Sequence, residues 1–442
     1  MLLQFSIKNF RTFKDRATLS LIASNYDKKT REEENIIVEE AFGLRILKSA
    51  VIYGANASGK SKLLDAFAFM KDFIFNSSKE SNAGEKIQVI PFRLSTETEN
   101  APSEFEIIFI YKNVLYRYGF EVTTEKIISE WLYYKPKTKE VELFYRAGNE
   151  FTIHKDKFAK GKTVVKTGLV RENALLISVA AQFNETNAIQ ILHWFNKLQI
   201  LSGLEEFHYQ GFTMGQTETP EYKDQILALL KAADLGIQDI RLQKIEIESL
   251  PAEMPKELKK MIIKKIREEK KEVFSDVLMK RKKFDADFQS VDSAFFSLGE
   301  DESSGTRKFF ALTGPILDVI ENGYTLIVDE LESKLHPNLV CKIVSLFNSK
   351  ELNPQNAQLI FNTHDTNLLS SELFRRDQIW FTNKNKFGEA QLYSLADFKS
   401  DDVKKSESFE ENYLRGKYGA VPYLGFFENL TFLQPQKEST EN

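Results

Sequence analysis

Eight consecutive residues constrain this chain more than any other stretch. Gly54, Ala55, Asn56, Ala57, Ser58, Gly59, Lys60 and Ser61 fit G-x-x-x-x-G-K-[ST], the phosphate-binding P-loop. The motif needs a strand before it and a helix after it. Residues 49–53 read as a short buried strand, and residues 62–70, beginning at Lys62, read as a helix. Glycines let the backbone fold tightly and turn its N–H groups inward, where they can surround phosphate. The positive end of the following helix favours an anion at the same place. Lys60 then reaches the β- and γ-phosphates, and Ser61 holds Mg²⁺. A Gly/Ser-rich turn can match the pattern by chance, but both flanks argue for the functional reading.

The chain has 442 residues, enough for two or three domains and a sizeable core. A net charge of −4 gives no global basic signature, so any nucleic-acid contact must rest on a local patch. Cys341 is the sole cysteine, which excludes disulfide frameworks and Cys-based zinc sites and fits a reduced, cytoplasmic home. The opening residues alternate like a strand and lack a signal-peptide core. No apolar run reaches the roughly 18 residues that a membrane span needs, so no membrane partner is expected.

In chain order, Leu3, Phe5 and Ile7, then Ala17, Leu19 and Leu21, alternate with polar neighbours and predict a hairpin. Its turn, residues 9–13, could lean over a nucleotide and bring Arg11 to phosphate or base; a solvated turn arginine is the plainer alternative. Residues 25–41 are charged and read as a loop, as do 77–85 and 95–103. Aromatic and β-branched runs at 105–111, 115–122, 127–134 and 141–145 are separated by short turns and predict an inserted antiparallel lobe. Residues 172–201, which include Gln182 and His193, read as helical. Residues 221–235 read as another helix, and 237–247 as a strand. The span 256–283 holds twelve Lys/Arg against five acids, and Leu258, Ile262 and Ile266 predict an amphipathic helix. It could contact a nucleic-acid backbone. Its lysines are not interleaved with the aromatic and arginine side chains that base reading requires, which favours a solvated face.

The second half of the nucleotide site lies far downstream. Residues 324–330 form an apolar run ending in Asp329 and Glu330. A buried parallel strand would deliver both carboxylates beside the P-loop. Asp329 would bind Mg²⁺ through water, and Glu330 would polarise the attacking water as general base. About twenty residues earlier, Glu302, Ser303, Ser304, Gly305 and Thr306 open a helix spanning 307–320. They could hold the γ-phosphate of a nucleotide on a second copy, or simply cap the helix. Residues 359–365 form a further strand tipped by His364, which could hydrogen-bond a γ-phosphate.

Taken in this order, these motifs resemble the ABC-type ATPases of the RecF/SMC/OLD-like group. The opening segment from Ile7 to Phe13 is similar to that group's N-terminal hairpin. The segment from Asp329 to Pro337 resembles its AAA15/AAA21 branch, and that from Tyr413 to Pro422 resembles the tail of RloA/AbiLi-type phage-defence proteins. The resemblance implies an α/β P-loop ATPase head with an inserted antiparallel β lobe and a helical insertion. The corresponding division is 1–76 and 296–395 for the head, 77–170 for the lobe, 171–295 for the insertion and 396–442 for the tail. It implies a homodimer or higher oligomer closing around ATP and Mg²⁺, with Ser304 and Gly305 as the signature acting across the dimer and His364 as the switch histidine. Gln182 is the candidate Q-loop metal contact, with Gln88 competing. Two departures stand out: the transporter-type Leu-Ser-Gly-Gly-Gln is absent, and His336 stands where other branches carry an aspartate. OLD-type nucleases carry a further metal-binding domain. The roughly fifty-five residues after Phe387 are too few for one, and Asp401 and Asp402 read as exposed, so no nuclease site is expected here. The implied function is an ATP-driven switch in anti-phage defence that controls a separate effector or nuclease. The alternative is a DNA-repair or DNA-maintenance ATPase that binds nucleic acid directly.

Overall fold

The computed structural model describes residues 1–25, 29–79, 82, 84–233, 236–244, 255–267, 274–399 and 407–422. Asp401 and Asp402, and the side chains of Leu258, Ile262 and Ile266, lie outside the described set.

Alternation builds the first layer. β1 (Leu2–Lys8) pairs antiparallel with β2 (Ala17–Ser20), burying Phe5, Ile7, Ala17 and Leu19. The charged stretch read as a loop contains a short helix, α1 (Glu32–Asn35), and β3 (Ile36–Glu39), which pairs with β4 (Leu44–Leu47). Ile36 and Ile37 are buried there, and a charge-based reading overlooks such a short apolar pair. β5 (Ser49–Gly54) is buried throughout and runs into the P-loop and α2 (Lys60–Asn76). The meander follows as β6 (Ser103–Tyr111), β7 (Val114–Val122), β8 (Ile127–Lys135), β9 (Val141–Ala147) and β10 (Glu150–Ile153). The expected antiparallel lobe is built directly onto the N-terminal hairpin. β6 pairs with β1, giving one seven-stranded sheet in the order β10-β9-β8-β7-β6-β1-β2. Its apolar face sits on α2, with Phe5 stacked on Phe67 at 3.7 Å and Phe73 edge-on to Phe120 at 5.5 Å.

The segment 172–201 is not one helix. After α3 (Ala159–Lys166) it breaks into α4 (Leu176–Gln182), α5 (Thr186–Asn196) and a strand, β11 (Leu198–Ser202). Next come α6 (Phe207–Gln216), α7 (Pro220–Ala232) and β12 (Asp239–Lys244). The basic span is likewise split. α8 (Lys256–Arg267) gives way to β13 (Phe274–Phe284), the middle strand of a small antiparallel sheet between β12 and β14 (Ser290–Ser297). Val277 and Met279, two apart and fully buried, carry a strand periodicity inside the lysine run.

The head is completed by α9 (Ser304–Asn322), β15 (Thr325–Asp329), α10 (Pro337–Asn348), β16 (Gln358–Asn362), β17 (Ile379–Lys384), β18 (Ala390–Ser394) and α11 (Phe409–Leu414). The second sheet runs β11-β15-β16-β5-β17-β18, parallel except for β18. Helices cover both faces, which is why its central strands are continuous apolar runs. The carboxyl ends of β5, β15 and β16 therefore open on one edge, where ligands bind in such sheets. The α/β P-loop head with an antiparallel layer agrees with the expectation from sequence.

Candidate nucleotide site

The P-loop has the backbone its sequence requires. Gly54 has no room for a side chain: a Cβ there would run into Thr382 O and Oγ1 and Ser58 Oγ. Gly59 sits at φ +119, in the region reserved for glycine, with Thr12 and Phe13 of the β1–β2 turn against it. Ser58 Oγ and Thr382 Oγ1 are 2.6 Å apart, pinning the loop to β17. Among the described residues no side-chain cap bond closes the N-terminus of α2, so its first N–H groups are open to a ligand. Lys60 is buried, and its Nζ donates to the loop's own carbonyls, Gly54 O at 2.7 Å and Ala55 O at 3.2 Å. Burial pulls its ammonium down to about 8, against the opposing pull of Glu332, Glu330 and Asp329. A polyphosphate suits this cradle, where Lys60 supplies a cation and the start of α2 supplies uncapped backbone N–H groups.

The acidic side is assembled by strand register. β15 ends at Asp329, and Glu330 enters the following turn with φ +53. Asn362, the last residue of neighbouring β16, serves both. Its Nδ2 donates to Asp329 Oδ1, and its Oδ1 accepts from Glu330 N at 2.6 Å. His364 lies two residues on, exposed, with its N–H donated to Glu332 Oε1 at 2.7 Å. Desolvation of the ring by the surrounding protein and the nearby Lys60 charge lower its pKa, which favours the neutral imidazole. Lys60, Asp329, Glu330 and His364 thus share one electrostatic neighbourhood. Ser61, on the first turn of α2, and the Asp329 carboxylate are the oxygen donors that suit Mg²⁺.

Other sequence-derived candidates fall elsewhere. Arg11, in the left-handed region at φ +53, stands at the mouth, its Nε 3.8 Å from Asp65 Oδ2 on α2. Lys62 reaches the same carboxylate at 2.8 Å. Gln182 is not at the metal side. It is exposed at the end of α4 and donates to Ser78 Oγ at 2.8 Å. Ser78 follows the C-terminus of α2, roughly 25 Å along that helix from Lys60. The assignment fails because α4 docks on the far end of α2, with Ser178 Oγ donating to Ile74 O. Gln88 is exposed and its amide donates to Lys86 O at 3.4 Å, although Ile90 O accepts from Arg11 N nearby. Ser304 and Gly305 open a different surface. Ser303 Oγ caps α9 by accepting from Thr306 N at 3.1 Å. Ser303, Gly305, Lys334, His336 and Asn338 line an open cavity of about 440 Å³. No P-loop residue is among its described lining. His336 Nδ1 accepts from Asn338 N at 3.2 Å and so caps α10, which explains a histidine at that position.

A buried parallel sheet with a P-loop after β5 and an acid pair after β15 defines a P-loop ATPase head. The chain belongs to the AAA_21 family, described as "AAA domain, putative AbiEii toxin, Type IV TA system", whose profile matches residues 49–158 and 138–370. No curated protein matches the chain. Among solved structures it is similar to the SMC head domain from Thermotoga maritima, at 12% identity over 89% of this chain and 98% of that chain, TM-score 0.41. It is also similar to an Smc head bound to the C-winged helix domain of ScpA, at 14% identity over 89% and 97%, TM-score 0.40. A third is an Smc head with an extended coiled coil bound to the C-terminal domain of ScpA derived from Pyrococcus furiosus, at 12% identity over 89% and 96%, TM-score 0.39. The fold assignment stands on strand order and register. No helix among the described residues is long and apolar enough to cross a membrane.

Proposed function

We propose that this chain is a Mg²⁺-dependent ATP hydrolase of the ABC type, working in the cytoplasm as a conformational switch. Two copies close around ATP, and their closure and release control a separate effector or nuclease in anti-phage defence. The observation that carries the reading is Asn362. One amide holds the Asp329 carboxylate and the Glu330 backbone together, in the electrostatic neighbourhood of Lys60. That arrangement holds the Glu330 turn and orients the acid pair for phosphoryl chemistry. Lys60 and the loop N–H groups bind the β- and γ-phosphates, Ser61 and Asp329 would hold the metal, Glu330 takes the proton of the attacking water, and His364 contacts the γ-phosphate. When bound, Mg²⁺ neutralises charge on the phosphate oxygens. The defence role is supported by the toxin-system description of the family.

The test is phosphate release from Mg·ATP by the purified chain and by Glu330→Gln. We expect Glu330→Gln to lose at least about 100-fold in kcat while still binding ATP. Unchanged turnover in that variant would remove Glu330 from its role.

One observation favours direct nucleic-acid binding as a second reading. Aromatic and basic side chains do interleave once β13 and β14 are paired. Arg241 lies over the Phe295 ring at 4.5 Å, Lys280 pairs in register with Phe295, and Phe284 and Phe288 are exposed at the hairpin tip. Salt-dependent binding of single-stranded DNA, abolished in Lys280→Glu/Lys282→Glu, would support that reading.

A further inference from the structure

Two charged side chains at the catalytic turn have no part in the chemistry above. Lys308, on the second turn of α9, is fully buried. Its Nζ donates to the backbone carbonyl of Glu330 at 3.1 Å, its sole hydrogen-bond acceptor among the described residues. Glu332 reaches the other way. Its Oε1 accepts from His364 N at 2.7 Å, while its Oε2 is buried without a hydrogen-bond partner among the described residues. The turn between them needs holding. Glu330 is a non-glycine residue in the left-handed region, a conformation that surrounding contacts must impose. On its other side Gly203 donates to Asp329 O at 2.6 Å, and a Cβ at Gly203 would collide with Glu330 O.

An ammonium buried against one carbonyl is a poor way to gain stability, because a well-packed apolar side chain of similar size is often as good or better. Its position is more informative. α9 begins at the Ser303–Gly305 turn, and the strand that ends at Asn362 leads into His364. The catalytic turn is thus tied to the signature helix through Lys308 and to the switch segment through Glu332. We propose that Lys308 and Glu332 are positioning residues that latch the Glu330 turn between these two elements, so that displacement of either is passed to the general base. This rests on the ATPase reading, and it adds the route by which contacts on the Ser304 surface reach the chemistry.

The test uses Lys308→Met, Lys308→Arg, Glu332→Ala and Glu332→Gln in the full chain. Four readouts are compared: kcat, KM, fluorescent ATP-analogue affinity and amide hydrogen exchange. Lys308→Met and Glu332→Ala are expected to lower kcat by about tenfold or more, with KM and nucleotide affinity held within about twofold, because a small misplacement of a general base costs turnover more than binding. Lys308→Arg and Glu332→Gln keep a donor and an acceptor respectively, and should recover most of the lost turnover. The exchange arm needs no turnover: the His364 amide should exchange faster in Glu332→Ala and stay protected in Glu332→Gln. Glu330 N–H exchange should rise in Lys308→Met. Wild-type kcat and exchange in Lys308→Met and Glu332→Ala would overturn the latch. So would Glu332→Gln failing as badly as Glu332→Ala, since that would make the charge the essential feature. A wild-type chain that neither binds nor cleaves ATP sinks the ATPase reading alone, and the exchange results then decide the latch.

Discussion

At the scale of single residues, Lys308 makes a prediction with a definite sign. Its ammonium is held down to about 8 from 10.5, first by burial, while Glu332, Glu206 and Glu330 pull it back up and Lys334 pushes it further down. The folded-state value lies below the unfolded one. Below about pH 8 both states carry the proton, and the native state bears a constant penalty, on the order of 3 kcal/mol from a shift of this size. Between about 8 and 10.5 the unfolded chain binds a proton that the native chain does not, so stability rises with pH across that window. Lys308→Met lacks this contribution. In scanning calorimetry its Tm should exceed the wild-type value at pH 7.5, and the advantage should shrink at pH 9.5. A variant that is more stable yet slower is what a positioning role requires; a lower Tm at pH 7.5 would mark Lys308 as ordinary structural support. Residues of this kind are hidden in the sequence. Lys60, Asp329 and Glu330 can be read because each belongs to a contiguous run with its own chemistry. Asn362, Gly203, Lys308 and Glu332 acquire their meaning from neighbours that strand register brings in. The one weak signal is a polar residue closing the buried run of β16.

At the scale of elements, the seven-stranded layer is fastened to the helices by a buried ion pair. Glu130 on β8 and Arg146 on β9 are both wholly buried, 3.8 Å apart. Glu130 accepts from Leu176 N at 2.7 Å and Ile177 N at 3.0 Å, and so caps α4, and it also accepts from Tyr118 OH at 3.1 Å. Arg146 donates to Ala174 O and Gly148 O. Burial pushes the Glu130 carboxyl up and the Arg146 guanidinium down, and their proximity offsets part of both shifts. Removing one partner strands the other and leaves the α4 N–H groups unsatisfied. Glu130→Ala should therefore cost about 3–5 kcal/mol in denaturant unfolding. A loss under about 1 kcal/mol would show that the pair is not the fastening it resembles. The meander itself is legible in sequence, because alternation and short turns are local. Its union with β1 is not, since β1 and β6 are about a hundred residues apart. The basic span misleads for a related reason: a helical stripe does run through its first half, but Val277 and Met279 switch the period to two where β13 begins. Gln182 misleads because its place after the lobe says nothing about which end of α2 the helix α4 meets.

At the scale of the whole molecule, the question is which chain completes the nucleotide site. The start of α9 opens on a cavity with Lys334, His336 and Asn338, and no P-loop residue lines it among those described. If Ser304 acts on phosphate as proposed, that phosphate must come from another copy. In the proposed symmetric dimer that surface would face the partner's nucleotide, and each site would take a P-loop from one copy and a signature from the other. Ser304 is exposed, so Ser304→Glu should fold normally, bind ATP at its own P-loop and fail to turn over, because a carboxylate there repels the partner's triphosphate. Lys60→Ala should fail for the opposite reason, having an intact signature and no phosphate-binding lysine. Neither variant hydrolyses ATP alone, yet a mixed pair contains one whole site: the P-loop of Ser304→Glu against the signature of Lys60→Ala. Random pairing at equal concentrations makes half the dimers mixed, each with one working site of two, so up to about a quarter of wild-type turnover should return. Restored phosphate release on mixing would place the signature in trans. Two inactive proteins that remain inactive together, with ATP-dependent mass growth absent in Glu330→Gln, would mean that a single chain closes its own site and that the switch is not a dimer.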